Sequence, residues 1–197
     1  MNRLASALTA AASGLSGQRF AVVGGIAVSA RTEPRFTRDL DLAVAVPDDP
    51  SAEAIVRELI ARRFQLAAVI EQDRAGRLAT VRLIAPGETE SGVVVDLLFA
   101  SSGIEPEIAR DADALQVFSG VVAPVARIGH LIALKLLARD DARRPQDAVD
   151  LRALLGVATE GDLSLAREGV RLITERGFDR GRDLAAALKK ATESPGS

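Results

Sequence analysis

Two rhythms of apolar and polar positions divide this chain. In the first half, short apolar runs recur between turn signals, which is the pattern of strands separated by loops. Residues 20–23 form a brief apolar run ending at Gly24-Gly25, as a buried strand entering a tight turn does. The pattern then predicts a short helix over 26–30, a polar loop with Pro34 over 31–37, and a strand over 39–46 stopped by Pro47-Asp48-Asp49-Pro50. Ser51 is the expected cap of a helix running to about Arg63, with Ala54, Ile55, Leu59 and Ile60 on its apolar side. Strands are expected over 66–70, 78–84 and 93–99. The second precedes the turn Ala85-Pro86-Gly87, and the third is the most strand-like segment of the chain.

Helical spacing governs both ends. Residues 2–15 predict a helix, and 105–114 a weaker one, while 115–122 read as a small hairpin or a pair of edge strands. A strong helix is expected over 127–139, where Ile128, Leu131, Ile132 and Leu136 recur. Pro145 suits the first turn of another over 145–155, and helices over 163–175 and 182–191 complete the carboxyl end. Strands and helices first, then mostly helices, predict an α/β (α+β) fold: a mixed β-sheet core flanked by helices, with a helical C-terminal part. The expected division is a core over 1–122, a helical subdomain over 123–192 packing on it, and a disordered tail over 193–197.

Composition narrows the chemistry. Of 197 residues, 48% are apolar and 26% charged, with a formal net charge of −2, as in a soluble globular protein without a strongly basic nucleic-acid footprint. There is no cysteine and one histidine, which removes thiol catalysis, disulfides and the common Cys/His zinc sites. A Ser-His-Asp hydrolase would have to use His130, and no Gly-x-Ser-x-Gly elbow accompanies it. His130 itself reads as a partly exposed helix residue. With neither Trp nor Tyr, base stacking is left to Phe, Arg or aliphatic side chains. No apolar run reaches the length of a membrane span. Residues 1–17 read as a helix rather than a signal peptide, because Ser and Thr interrupt the apolar stretch, so a cytoplasmic location is expected.

The candidate chemistry lies in Asp39 and Asp41, which follow the glycine pair. On a strand, residues i and i+2 share a face, so both carboxylates point the same way while Leu40 and Leu42 pack. Two like charges so close call for a neutraliser, and the usual one is a hard divalent cation with oxygen ligands, Mg²⁺ or Mn²⁺. Gly24 and Gly25 leave room for phosphates to approach backbone N–H groups. Asp96, alone in the apolar run Val93-Val94-Val95-Asp96-Leu97-Leu98, is the expected third acid, since a lone buried charge is costly. Lys135 and Arg139, four apart on one helix, and Arg143 and Arg144 after it are candidate phosphate ligands, with Asp147 and Asp150 either orienting them or simply pairing with them.

These motifs resemble the nucleotidyltransferase superfamily that includes DNA polymerase beta, whose signature is an apolar residue, a Gly-Gly or Gly-Ser pair, a short helix and loop, then Asp-x-Asp and a later third acid. Gly24, Gly25, Asp39, Asp41 and Asp96 carry that pattern. Residues 131–139 and the following Arg144-Pro145-Gln146-Asp147-Ala148-Val149-Asp150-Leu151 are similar to abortive-infection type nucleotidyltransferase toxins. Those toxins often have Lys-Asp where this chain has Gln146-Asp147, and a longer helical carboxyl half. The resemblance covers roughly 20–155. It implies transfer of a nucleoside monophosphate from a nucleoside triphosphate to a hydroxyl of a tRNA, a protein or a small molecule. It also implies Mg²⁺ (or Mn²⁺) held by Asp39, Asp41 and Asp96, nucleotide contacts from Gly24, Gly25, Arg38, Lys135 and Arg139, and Asp147 and Arg144 behind them. A cognate antitoxin protein would be a partner if the role is that of a toxin in a toxin–antitoxin or phage-defence system. An antibiotic-modifying enzyme and a catalytically inactive nucleotide- or partner-binding module are the alternatives.

Plainer readings stand beside these. Asp-x-Asp alone also fits a solvated strand end, a sugar-nucleotide transferase or a phosphatase pair. The glycine pair lacks the third glycine of a dinucleotide fingerprint. Arg38 can pair with Glu33 as readily as with phosphate, and the later cations can be a solvated helix face.

Overall fold

A computed structural model describes residues 3–72, 76–89, 92–139 and 145–193. Seven strands form one mixed sheet in the order β3-β4-β5-β2-β1-β7-β6. They are β1 (Phe20–Val23), β2 (Asp39–Val44), β3 (Gln65–Gln72), β4 (Arg77–Ile84), β5 (Val94–Leu98), β6 (Asp113–Phe118) and β7 (Val121–Val125). The helices are α1 (Arg3–Gly14), α2 (Gly24–Arg31), α3 (Asp49–Ala61), α4 (Glu105–Asp111), α5 (Ile128–Ala138), α6 (Pro145–Val157), α7 (Glu160–Glu175) and α8 (Leu184–Glu193).

The central strands are β5, β2 and β1. β2 runs antiparallel to β1 and parallel to β5, and its Leu40, Leu42, Ala43 and Val44 are fully buried. That burial explains why the alternation seen in sequence holds only at the front of the strand, where the two acids stand. The segment after Ser101 contributes more to the sheet than its helical rhythm suggests. β6 and β7 form the expected hairpin, turning at Gly120 with φ 74°, and β7 then pairs in parallel with β1 through Val22 and Val125. β7 therefore runs across the boundary expected at 122/123, and one apolar core continues from the sheet into α5, α6, α7 and α8. α3 starts two residues before its expected cap: the Asp48 side chain, not that of Ser51, caps it by accepting from the Ser51 N–H at 2.9 Å. The expected tail falls on Glu193, the last residue of α8, and on 194–197, outside the described residues.

α5 is the axis of the carboxyl half, touching α2, α6, α7 and α8. It is apolar nearly all round, as a helix buried among helices must be. His130 is 2% exposed, not partly exposed as its position near a helix start suggested, because α7 covers this end of α5. Burial pushes its imidazole pKa down, against the pull of Asp111 4.0 Å away.

Gly129 shows how closely α5 and α7 approach. A Cβ there would lie 2.4 Å from the Asp162 carbonyl oxygen and 2.7 Å from the Leu165 Cβ. Helix propensity alone favours alanine over glycine by about 1 kcal/mol. Here the close approach wins: Gly129→Ala is expected to destabilise the fold by about 1–3 kcal/mol, the usual cost of overpacking, seen as a lower midpoint in urea unfolding.

Candidate active site

Sheet register assembles the acids. Asp41 lies opposite Asp96 across the β2–β5 pair, and Asp39 opposite Val94. Opposed residues on neighbouring strands share a face, and Asp39 shares it with Asp41 by the period of two. The row continues into β4, where Arg82 lies opposite Asp96. Its Nε donates to Asp96 Oδ1 at 2.8 Å and its Nη2 to Oδ2 at 2.7 Å, a bidentate fork on one carboxylate. This fork explains how Asp96 stays buried at 8% exposure, while 45% of the Arg82 side chain faces solvent. The bonds to Asp96 raise the Arg82 pKa further above its ordinary value, and the charges of Asp39 and Asp41 act in the same direction.

The acids therefore meet on one face, but not as a finished cage. Among the described residues no group of three His, Cys, Asp or Glu side chains is disposed to hold a metal ion. Asp96 is directed into the guanidinium instead. Arg82 has no place in the sequence-based expectation. Its signal was present, a single charged residue within the apolar run Val81-Arg82-Leu83-Ile84, the same signal that marks Asp96.

The glycine pair has a steric role beside these acids. Gly24 opens α2 with φ +60°, and a Cβ placed on it would fall 1.9 Å from Asp41 Oδ2 and 2.6 Å from its Cγ. The missing side chain is the space the Asp41 carboxylate fills, next to the positive end of α2. A Cβ on Gly25 would lie 2.8 Å from Arg35 Nη2 and 2.9 Å from Thr37 Oγ1. α2 includes both glycines rather than starting at Ile26, so the turn expected there is the first turn of the helix.

Arg35 connects this corner to the carboxyl half. Its Nε and Nη2 each donate at 2.7 Å to an oxygen of Asp150. Lys135 Nζ lies 2.7 Å from Asp150 Oδ2 and donates to Asp147 Oδ1 at 2.7 Å, and Gln146 Nε2 donates to Asp150 Oδ1 at 3.1 Å. Lys135, Asp147 and Asp150 are buried, so α5, α6 and the loop after α2 are joined by one compact ionic network. Burial pushes the Asp150 pKa up. The hydrogen bonds from Arg35, Lys135 and Gln146 more than reverse this and hold it below the ordinary carboxylate value.

The remaining candidates lie elsewhere or outside the described residues. Arg38 stacks its guanidinium 5.7 Å from the centroid of the exposed Phe36 ring. Arg139 is the C-cap of α5, with φ −53° and ψ 122°, so the chain leaves the helix after it. It lines a recess with Leu136, Arg182, Asp183, Leu184 and Ala187, between α5 and α8. Arg143 and Arg144 lie outside the described residues.

A mixed sheet that carries Asp-x-Asp beside a glycine pair opening a helix defines a nucleotidyltransferase-like protein. Solved structures that share the fold include the following two. An antigenic nucleotidyltransferase-like protein from Paracoccidioides brasiliensis is 18% identical, with a TM-score of 0.53 over 95% of this chain and 91% of that one. The antibiotic-resistance factor ANT(2'')-Ia is 17% identical, with a TM-score of 0.54 over 96% and 97%. No curated protein matches the sequence significantly. Residues 6–195 match the family described as "Nucleotidyl transferase AbiEii toxin, Type IV TA system", and the chain belongs to that family.

The network around Asp150 should be visible in the pH dependence of stability. Its folded pKa is depressed, so its contribution is complete above the unfolded value and is lost as pH falls through the folded one. Asp150→Asn is expected to cost about 3 kcal/mol at pH 7, the scale of breaking a buried pair. The gap to the wild type should close only below about pH 4, in thermal unfolding followed from pH 3 to 8.

Proposed function

We propose that this chain moves a nucleoside monophosphate from a nucleoside triphosphate to a hydroxyl acceptor, with Mg²⁺ or Mn²⁺. The observation that carries this reading is the placement of Asp39 and Asp41 on one face of β2, with Asp41 seated against Gly24 at the start of α2 and Asp96 in the adjacent register. The donor set fits a hard divalent ion, which such sites hold through one or two carboxylates plus phosphate oxygens. Asp39 and Asp41 would hold it, with Asp96 as the third acid of the site. The ion would supply charge stabilisation at the phosphates.

The protein's own residues would do the rest. Gly24 and Gly25 keep side chains away from the amino end of α2, where backbone N–H groups are available to a phosphate. Arg35 is the cation brought against Gly25, and Lys135 is tied to it through Asp150. These two, with Arg38, are the proposed contacts to the triphosphate, while Asp147 and Asp150 orient them. Arg139 is a proposed contact from the resemblance. In the reaction the acceptor oxygen forms a bond to the α-phosphorus, the bond from that phosphorus to the bridging oxygen breaks, pyrophosphate leaves, and the hydroxyl proton is released.

Family membership supports a toxin role with a cognate antitoxin protein, acting in the cytoplasm. Among the described residues no helix is long and apolar enough to cross a membrane. Growth arrest on expression, relieved by a neighbouring gene product, is the biological signature of that role.

The chemical test uses purified protein with each α-labelled nucleoside triphosphate, Mg²⁺ and either total RNA or protein as acceptor. Label transfer is expected from the wild type and should disappear with a chelator. Asp41→Asn should lower it at least ~100-fold, the scale of losing a charge-stabilising group. Thermal stability should hold or rise, since one of several neighbouring negative charges is gone. Undiminished transfer by this variant would remove the proposed site.

A further inference from the structure

The arginine on β4 has a place in the site that its neighbours define. Arg82, Asp96 and Asp41 occupy one row across three adjacent strands, and both oxygens of Asp96 are bound to Arg82. A carboxylate gripped in this way has its strongest lone-pair directions filled by N–H donors. It cannot give the same directions to a metal ion without first parting from the guanidinium. Formal charge leads to the same conclusion. Asp39, Asp41 and Asp96 with Arg82 among them leave two negative charges, which one divalent ion balances.

We propose that Arg82 is a positioning residue that competes with divalent metal for Asp96. While its fork holds Asp96, the site takes an ion through Asp39 and Asp41 alone, and Asp96 becomes a ligand only when Arg82 lets go. Arg82 is suited to this because half of its side chain is in solvent, so the guanidinium can leave without opening the core. Asp96 is suited because it sits on a central strand whose backbone is fixed on both sides, by β2 and β4. The arginine thus keeps the third acid in register, and neutral in effect, whenever no second cation is present. This inference rests on the metal-dependent reading above and goes beyond it by naming the residue that limits how many protein ligands the ion receives.

The test is Mn²⁺ binding to the full chain without nucleotide, read by the loss of free Mn²⁺ signal in electron paramagnetic resonance. Wild type, Asp41→Asn, Arg82→Gln, Arg82→Lys and the double variant Arg82→Gln with Asp96→Asn are compared, each first checked for cooperative thermal unfolding. Arg82→Gln should bind Mn²⁺ at least ~10-fold more tightly than wild type, the scale on which groups around metal ligands tune affinity. Arg82→Lys should tighten binding by a smaller factor, because lysine keeps the charge but loses the planar fork. It also serves as the measurement should Arg82→Gln fail to fold. Adding Asp96→Asn to Arg82→Gln should abolish the gain.

Wild-type affinity in Arg82→Gln, or in Arg82→Lys where that variant is the measurement, overturns the proposal. So does a gain that survives Asp96→Asn, because Asp96 would then not be the ligand that Arg82 releases; Arg82→Lys, which keeps the charge, is the variant that separates release of the carboxylate from net charge. If Asp41→Asn loses the wild-type ion while the Arg82 variants change nothing, the metal reading stands and only the role of Arg82 fails. If Asp41→Asn binds Mn²⁺ as the wild type does, both fail.

Discussion

Like charges on neighbouring strands are the constraint around which the candidate site is arranged. Asp41 and Asp96 are register partners on parallel strands, and Asp39 stands one step along the same face. Two carboxylates about 5 Å apart repel by roughly 3 kcal/mol at an effective dielectric of 20. A sheet tolerates that only if the surroundings offset it, and three features do. Arg82 takes the more buried acid into a bidentate pair. Asp41 fits into the side-chain space that Gly24 leaves at the positive end of α2. Asp39, at the exposed start of β2, remains in contact with water. Each acid thus has a different means of compensation, graded with depth.

The second ionic group solves a different problem. α6 follows a strongly apolar helix, α5, and has little amphipathic character of its own to fix how it docks. Asp147 and Asp150 fix it by reaching Lys135 on α5 and Arg35 in the loop after α2. The arrangement is balanced, two acids against two bases. Its contribution is therefore geometric: it sets the position of α6 and of the loop that leads into Asp39, at the desolvation cost that any buried ion pair carries. Because Arg35 also lies against Gly25, the docking of the carboxyl helices and the shape of the glycine corner depend on the same guanidinium.

Much of this was legible in the sequence where local chemistry is self-sufficient. The glycine pair, the Asp-x-Asp alternation and the cost of a lone acid in an apolar strand located Gly24, Asp41 and Asp96 without knowledge of the sheet order. Arg82 and Arg35 were not legible, because their significance comes from pairing across strands and from a loop's reach, and neither has a fixed spacing in the chain. Arg139 is a different case. It follows Lys135 by four residues, but Lys135 reaches Asp147 and Asp150 while Arg139, the C-cap of α5, lines the recess beside α8. His130 reads as partly exposed because a helix start usually is, whereas here α7 crosses it, with the bare Gly129 allowing the approach. Only part of β7 is legible, in the hairpin expected over 115–122, for a related reason. A five-residue strand with a proline in it reads as an edge or a loop, but it joins β1 through a parallel pair that only tertiary contact provides.

Under the proposed function, the two ionic groups would also divide the work of recognising a triphosphate. A triphosphate brings several negative charges, so a site made only of acids would repel it, and one made only of free bases would repel the cation that accompanies it. Here acids occupy the row on β2 and β5, while the bases Arg35 and Lys135 stand behind the glycine corner, held by carboxylates of their own. Neither group alone carries a large excess charge, which is why the fold can keep both close to a buried core. In the proposed reaction their separation would give the site a direction, with the cation at the acids and the phosphate oxygens toward the start of α2. A ligand entering with its charges in the reverse order would meet repulsion at the acidic row. The arrangement of charge is thus set by strand register on one side and by helix docking on the other, and under the proposed function it would orient the substrate.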